Sequence, residues 1–298
     1  MGYSYALIAV FFWSFNLVIA SYFATSLQPF EIAFGRWFVA AFILIPLAWK
    51  NLRRNFKILL EHGWLIVALA LSGIVWDNTL IYYAGRTASA INMGLLNITG
   101  PIFLVILAHI LYKTPISLRQ TIGLLIAVFG VITIIVRGDF TQLNQFKFVD
   151  GDGIMLLNTF CFAVYSLLQT KRPQNIDQPT LLAATVIVGL IIIYPFMITT
   201  TGISGLRQLQ PIDIAVFVYL GIFNSVIAYL AWNSALSRLG NLKTSIIYYL
   251  MPLFAGIEAY FLLHERLYWS SLAGGILIIG GIALVSLKAK NKPRHRQG

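Results

Sequence analysis

Hydrophobic residues along this chain come in long runs separated by short polar clusters, without the two-residue alternation or the single apolar stripe of water-soluble elements. Runs at residues 4–24, 30–49, 64–84, 89–111, 119–136, 152–170, 180–200, 212–234, 245–262 and 270–287 are each close to the roughly 20 residues that an α-helix needs to cross a hydrocarbon layer about 30 Å thick. The pattern predicts an all-α membrane protein with ten transmembrane helices. The first run has no basic leader before it and is long enough to span, so it reads as a retained helix and not as a cleaved signal. Composition points the same way. The chain is 59% hydrophobic and 10% charged, whereas a soluble domain carries about 25% charged residues.

The runs contain a repeat. An offset of 151 residues places Pro101 on Pro252, Phe103 on Phe254, Ala108 on Ala259, Gly123 on Gly274 and Gly130 on Gly281. Each copy then holds five helices, and because five is odd the two copies cross the membrane in opposite senses. The expected organisation is a first five-helix repeat at 1–137, an external linker at 138–151, a second repeat at 152–288 and a basic cytoplasmic tail at 289–298. Inverted repeats of this kind belong to secondary transporters, which hold the substrate near the membrane midplane between the repeats. The glycines at 123, 130, 274 and 281 are spaced for close helix packing.

Net charge is +11. In a soluble protein that would suggest nucleic acid, but here the cations sit between apolar runs, so the expected partner is the lipid bilayer and no nucleic acid is implied. With the N-terminus inside, 15 basic residues fall on the inner side, in clusters such as Lys50, Arg53, Arg54 and Lys57, and five (Arg86, Arg137, Lys147, Arg207, Arg266) on the outer side. Arg36 lies within the membrane. The imbalance places both termini in the cytoplasm of a multi-pass cell-membrane protein. The single cysteine, Cys161, excludes an intrachain disulfide.

Ionisable and amide side chains at bilayer depth are candidate functional groups, because an unpaired charge there costs a few kcal/mol even on the mildest insertion scales. Such residues are Asn16 in the first helix, Arg36 in the second, Asp77 and Asn78 in the third, Asn92 and Asn97 in the fourth and Glu258 in the ninth. Most fall at similar depth, in the outer half of the membrane, as expected of walls around one outward-opening cavity. Tyr82 shares a helix face with Asn78, and Tyr248 belongs to an aromatic group with Trp13 and Trp232. Asn16, Arg36, Asp77, Asn78, Tyr82, Asn92, Tyr248 and Glu258 are therefore the expected substrate contacts. Arg36 and Asp77 are expected to interact as an ion pair. Glu258 stands where the first copy has Leu107, and packing alone would accept leucine at both places, so Glu258 is the first candidate for a proton-coupling group and Asp77 the second. Glu31, in the first turn of the second helix, suits the helix dipole.

No nucleophile–base set or metal-ligand spacing is present: His264-Glu265-Arg266-Leu267 is not a His-Glu-x-x-His motif, and the four histidines are scattered. No enzyme activity, cofactor or metal is expected, and no filter-like repeat suggests a channel.

Four stretches carry a resemblance: "ALIAVFFWSFNLV" at Ala6–Val18, "PFEIAFGRWFVAAFILIP" at Pro29–Pro46, "YYAGRTASAINMGLLNITGPIF" at Tyr82–Phe103 and "MPLFAGIEAYFLLHERL" at Met251–Leu267. In these the chain resembles the EamA-type ten-helix exporters of the drug/metabolite transporter superfamily. It departs from the family's usual Gly-Glu-x-Leu with His264-Glu265-Arg266-Leu267, and has Lys113-Thr114 at the equivalent place in the first copy. The resemblance implies an alternating-access exporter of a small-molecule substrate with a central cavity between its halves. Arg36 suits a carboxylate, so amino acids or related metabolites lead, with proton coupling as the expected drive; a multidrug efflux carrier and a membrane sensor without transport are the alternatives. Either a monomer or a homodimer is compatible.

The orientation has a direct test. In a Cys161→Ala background, a single cysteine at Gln174 should resist a membrane-impermeant thiol reagent in intact cells while one at Gln142 reacts. The opposite labelling pattern would reverse the assignment.

Overall fold

A computed structural model describes residues 1–23, 27–88, 93, 96–97, 99–113, 115–145, 148–206, 209–263 and 269–286. Asn92, the His264–Leu267 motif and the tail at 289–298 lie outside the described residues. Among those described, every regular element is helical.

Helices α1 (Gly2–Phe23) and α2 (Pro29–Arg54) open the chain. Pro29 takes the first helical position of α2, where its missing N–H is not needed, and Glu31 turns back to the Gln28 amide at 3.3 Å, closing the first turn. A short helix, Phe56–Glu61, leads to α3 (Gly63–Ala84). Next come α4 (Thr99–Tyr112) and α5 (Leu118–Ile135), the latter started by a Ser117–Gln120 capping box. After the linker run α6 (Asp150–Gln169), α7 (Gln178–Leu206, broken at Gly202 with φ 69°) and α8 (Pro211–Leu239). Gly240, at φ 77°, ends α8 in a conformation that a side chain would strain. A single helical turn pair, Asn241–Ile247 and Tyr248–Leu250, leads into α9 (Met251–Leu263), and α10 (Trp269–Ser286) follows.

Among the described residues, six helices are long and apolar enough to cross a membrane: α2, α3, α5, α6, α7 through Gly202, and α8. The protein is inside-out by the standards of a soluble fold. Phe42, Ile191, Phe261 and Leu272 are each about 70% exposed, while Ser14, Thr185, Asn224 and Ser225 are fully buried. In water that surface would drive aggregation; in lipid it is solvated, and within the bundle Ser14 bonds Glu258 and Ser225 bonds Arg36.

The principal helix contacts are α5 with α10, α2 with α7, α1 with α8, α3 with α6, α4 with α6 and α1 with α9. The α5–α10 seam is made by glycines. A Cβ at Gly123 would stand 2.8 Å from the Gly281 carbonyl oxygen, and one at Gly130 would stand 2.7 Å from that of Gly274. Neither space admits a methyl group. Helices without a hydrophobic drive between them gain their association from such close backbone approach.

Two neighbouring glycines of α10 should therefore respond oppositely. A Cβ at Gly281 would meet the Gly123 carbonyl at 2.5 Å, whereas one at Gly280 meets nothing within 4 Å. Gly281→Ala should lower stability by about 1–3 kcal/mol through overpacking, and Gly280→Ala should leave it unchanged or raise it, since alanine is the better helix former. Thermal unfolding of the two variants in one detergent reads the difference.

Candidate functional site

Polar side chains from six helices converge on a small cavity within the bundle. Both α3 and α8 carry a π-helical turn, at Ala70–Trp76 and Leu220–Ile227. In α3 the Asp77 amide reaches back to Ser72, and in α8 the Ala228 amide reaches back to Phe223, each one residue further than α-helical bonding allows. Such a turn diverts carbonyls from the helical ladder, and inside a membrane they must find other donors. The Gly73 carbonyl receives the Tyr229 hydroxyl at 2.8 Å and the Asn78 amide at 2.6 Å. The Asn224 carbonyl receives the Trp13 indole N–H at 3.0 Å.

Asp77 sits at the end of the first of these turns. Its Oδ2 accepts from Tyr229 at 3.0 Å and from Asn78 at 3.2 Å, and its Oδ1 accepts from Asn158 at 3.3 Å. Asn158 also donates to the Asp77 backbone carbonyl. Arg36 enters from α2 and is 1% exposed. Its Nε donates to Ser225 at 2.9 Å and one terminal nitrogen donates to the Tyr82 hydroxyl at 3.4 Å, which in turn donates to Asn16 at 3.1 Å. The other terminal nitrogen, Nη2, is buried and has no partner.

The expected Arg36–Asp77 ion pair is not formed. Both side chains line the cavity, but each is held by neutral partners on its own side: Ser225 and Tyr82 for the arginine, Tyr229, Asn78 and Asn158 for the aspartate. Two opposite charges thus face a shared space without cancelling by contact. Asn16 and Asn78 also line that space, and Tyr82 bonds to it from behind. Tyr248 lines it and donates to Asn97 at 3.3 Å.

Glu258 is elsewhere. It is 8% exposed and lies against α1, where Oε1 accepts from Ser14 at 2.7 Å and Oε2 has no partner. It is not among the residues lining the cavity.

Sequence reasoning missed Asn158, Ser225 and Tyr229, which supply the second half's side of the site. For Tyr229 a signal existed, because the 151-residue offset carries Asn78 onto it, and these two side chains hydrogen-bond at 2.8 Å.

The cavity measures about 40 Å³. That admits one or a few water molecules, each needing roughly 10–15 Å³ on this measure, and no organic solute. Aromatic rings close one side of it. Trp13 meets Phe162 edge-on at 5.2 Å and Trp232 at 5.3 Å, and Tyr248 stands 5.6 Å from Phe162 and 5.9 Å from Trp232.

Compared with known proteins, the chain matches the EamA-like transporter family over residues 1–136 and again over 150–287. It is 29% identical to an uncharacterized transporter of Archaeoglobus fulgidus, over 93% of this chain and 94% of that one. It is 24% identical to a probable amino-acid metabolite efflux pump of Salmonella typhimurium, over 60% of this chain and 62% of that one. A crystal structure of a protein 16% identical in sequence shares the fold, with a TM-score of 0.75 and 96% of each chain covered.

The hydrogen-bond node predicts the behaviour of Tyr229→Phe. Loss of the hydroxyl removes the one proton that Asp77 and the Gly73 carbonyl share, and leaving a buried group unsatisfied costs about 1–3 kcal/mol. The variant should insert and fold but melt at a lower temperature than wild type, and an unchanged melting temperature would mean that the node does not hold α3 to α8.

Proposed function

The chain belongs to the EamA-like transporter family, whose members are transporters and not enzymes, and on that premise we propose that it is an alternating-access secondary carrier exporting small carboxylate-bearing solutes, with amino acids and related metabolites as the leading class. The observation that carries this reading is the free Nη2 of Arg36. A guanidinium 99% removed from solvent, with one terminal nitrogen unbonded and a cavity beside it, lacks the acceptor that a substrate carboxylate would bring. Asp77 on the α3 side offers the complementary charge for an ammonium group. The efflux-pump relative supports the same solute class.

The proposed architecture is ten transmembrane helices in two inverted five-helix repeats, with both termini cytoplasmic. Three pairs of observations support it. The family matches twice. The π-turns fall at equivalent places, with Ser72–Asp77 and Phe223–Ala228 each 151 apart. The glycine seam is reciprocal, since Gly123 meets the counterpart of Gly130 and Gly130 meets the counterpart of Gly123. In this arrangement the ring cluster around Trp13 and Trp232 closes the cytoplasmic side, and substrate entry requires it to part.

Asp77 is the proposed coupling group, in preference to Glu258, because it lines the cavity and Glu258 does not. The Tyr229 hydroxyl has one proton and two acceptors, Asp77 and the Gly73 carbonyl. When Asp77 takes a proton it no longer needs that donor, and the hydroxyl turns to Gly73. Protonation is thereby passed to the π-turn of α3, a place where the helix is already less tightly bonded.

Transport into proteoliposomes, with and without an imposed pH gradient, tests the reading. Arg36→Ala should fold, since its loss strands no paired acid, yet carry carboxylate solutes at least about tenfold more slowly, as expected when one partner of a buried charged contact is removed. Asp77→Asn should abolish gradient-driven accumulation while exchange of solute persists, and Glu258→Gln should retain both. Normal carboxylate transport by Arg36→Ala would overturn the anchor. Loss of coupling in Glu258→Gln, with coupling kept in Asp77→Asn, would move the proton site to α9.

A further inference from the structure

Away from the central cavity, an apolar groove of about 630 Å³ lies between the end of α2, the short helix Phe56–Glu61, the start of α3 and the middle of α7. Its walls include Trp49, Leu52, Leu59, Ile66 and Val188, and Arg53 is the charged side chain among them. The Arg53 guanidinium stands over the Trp49 ring, 4.3 Å from its centroid. Such stacking holds the cation at the rim and leaves its edges free for an anion.

Depth and charge fix what this groove fits. At 1.5 Å per residue, the 26 residues of α2 extend about 39 Å, beyond a hydrocarbon layer about 30 Å thick, so its last turn stands at headgroup level. Trp49 and Trp64 are 47% and 58% exposed there, as expected of an interfacial aromatic belt. Deeper in the groove the lining is aliphatic, from Ile66 and Val67 on α3 to Ala184 and Val188 on α7. The segment "KNLRRNFK", Lys50–Lys57, places four cations and no acid at the mouth, with Lys50, Arg53 and Arg54 on one helix face. An oily trough ending in a cluster of positive charge at the membrane surface is complementary to one molecule of the bilayer.

We propose that this groove is a binding site for an anionic glycerophospholipid, with an acyl chain along the aliphatic walls and the phosphate on Arg53, supported by Lys50 and Lys57. A zwitterionic lipid fills the same walls but brings its own cation against this cluster. The site shares no residue with the central cavity, so it stands whether or not the transported solute is a carboxylate.

Gly63 supplies an independent handle. It lines the groove, and a Cβ there would meet nothing within 4 Å. A side chain at this position therefore starts into open space beside the groove.

Native mass spectrometry of the full-length protein, released from detergent after incubation with equimolar phosphatidylglycerol and phosphatidylcholine of identical chains, tests the proposal. Wild type should retain phosphatidylglycerol about tenfold over phosphatidylcholine, and Arg53→Ala should reduce that preference about fivefold, the scale of one basic residue at a membrane surface. Gly63→Trp should lose bound lipid of both kinds at an unchanged melting temperature. Equal retention of the two lipids by wild type, or an undiminished preference in Arg53→Ala, would overturn the proposal, as would undiminished lipid binding in Gly63→Trp.

Discussion

A peptide carbonyl released from its helix at the centre of a bilayer has no water to turn to, and the interior of this protein is organised by that constraint. The π-turns of α3 and α8 each divert backbone groups from the ladder. Each is answered by a side chain of another helix, Tyr229 for Gly73 and Trp13 for Asn224, and Asn78 of α3 itself adds a second donor to Gly73. These bonds tie α3 to α8 and α8 to α1, and the cavity is the space left among them. Asp77 and Arg36 are each held by hydroxyl and amide partners of this network and not by contact with each other. Burying a charge without such partners would cost several kcal/mol.

The same constraint suggests how a rigid bundle could move. An α-helix in lipid resists bending, because every broken bond is uncompensated. A π-turn already has longer bonding and an alternative donor at hand, so a change of partner there exchanges one satisfied state for another. The glycine seam between α5 and α10 is the opposite kind of element. Backbone against backbone at these distances leaves no space to slide, which makes it a fixed axis about which the proposed halves would turn. Catalysis of transport needs both, a joint that cannot shift and a joint that can.

Much of this was legible in the chain, and the reasons for the failures are physical. Length and apolarity determine where helices lie, and small residues at regular spacing mark a face that can pack closely, so an all-helical membrane protein and the packing role of Gly123, Gly130, Gly274 and Gly281 could be read from the chain, while which glycine meets which could not. Rotation about each helix axis could not. In a soluble helix the polar face points to water, but α9 is apolar nearly all round, so no stripe reveals that Glu258 faces α1 while the cavity lies beyond. The expected Arg36–Asp77 pair failed for a related reason. Counting charges identifies which groups need partners, yet Ser225, Asn158 and Tyr229 are uncharged residues inside apolar runs, and nothing in the local pattern distinguishes a hydroxyl that supports a charge from one that bonds its own backbone. The π-turns were invisible as well, because one extra residue in a helical turn leaves composition unchanged.

The acid at position 258 can be understood by following the serine it touches. Ser14 of α1 follows Trp13, and the 151-residue offset places Ser14 on Tyr165 of α6, which Ser166 follows; the Trp13 indole bonds at Asn224, and the Tyr165 ring lies where a Cβ on Gly73, the counterpart of Asn224, would fall. Both serines are buried, and the Ser14 hydroxyl also lies 2.6 Å from the Phe11 carbonyl of its own helix. Ser166 receives the indole N–H of Trp232 at 3.0 Å. Ser14 instead finds the carboxyl of Glu258 at 2.7 Å, at the position where the other copy has Leu107. The asymmetry between Glu258 and Leu107 thus coincides with that between Ser14 and Tyr165: a carboxyl meets a hydroxyl of α1 in one copy where the other has leucine and tyrosine, while the charged side chains lining the cavity are Arg36 and Asp77.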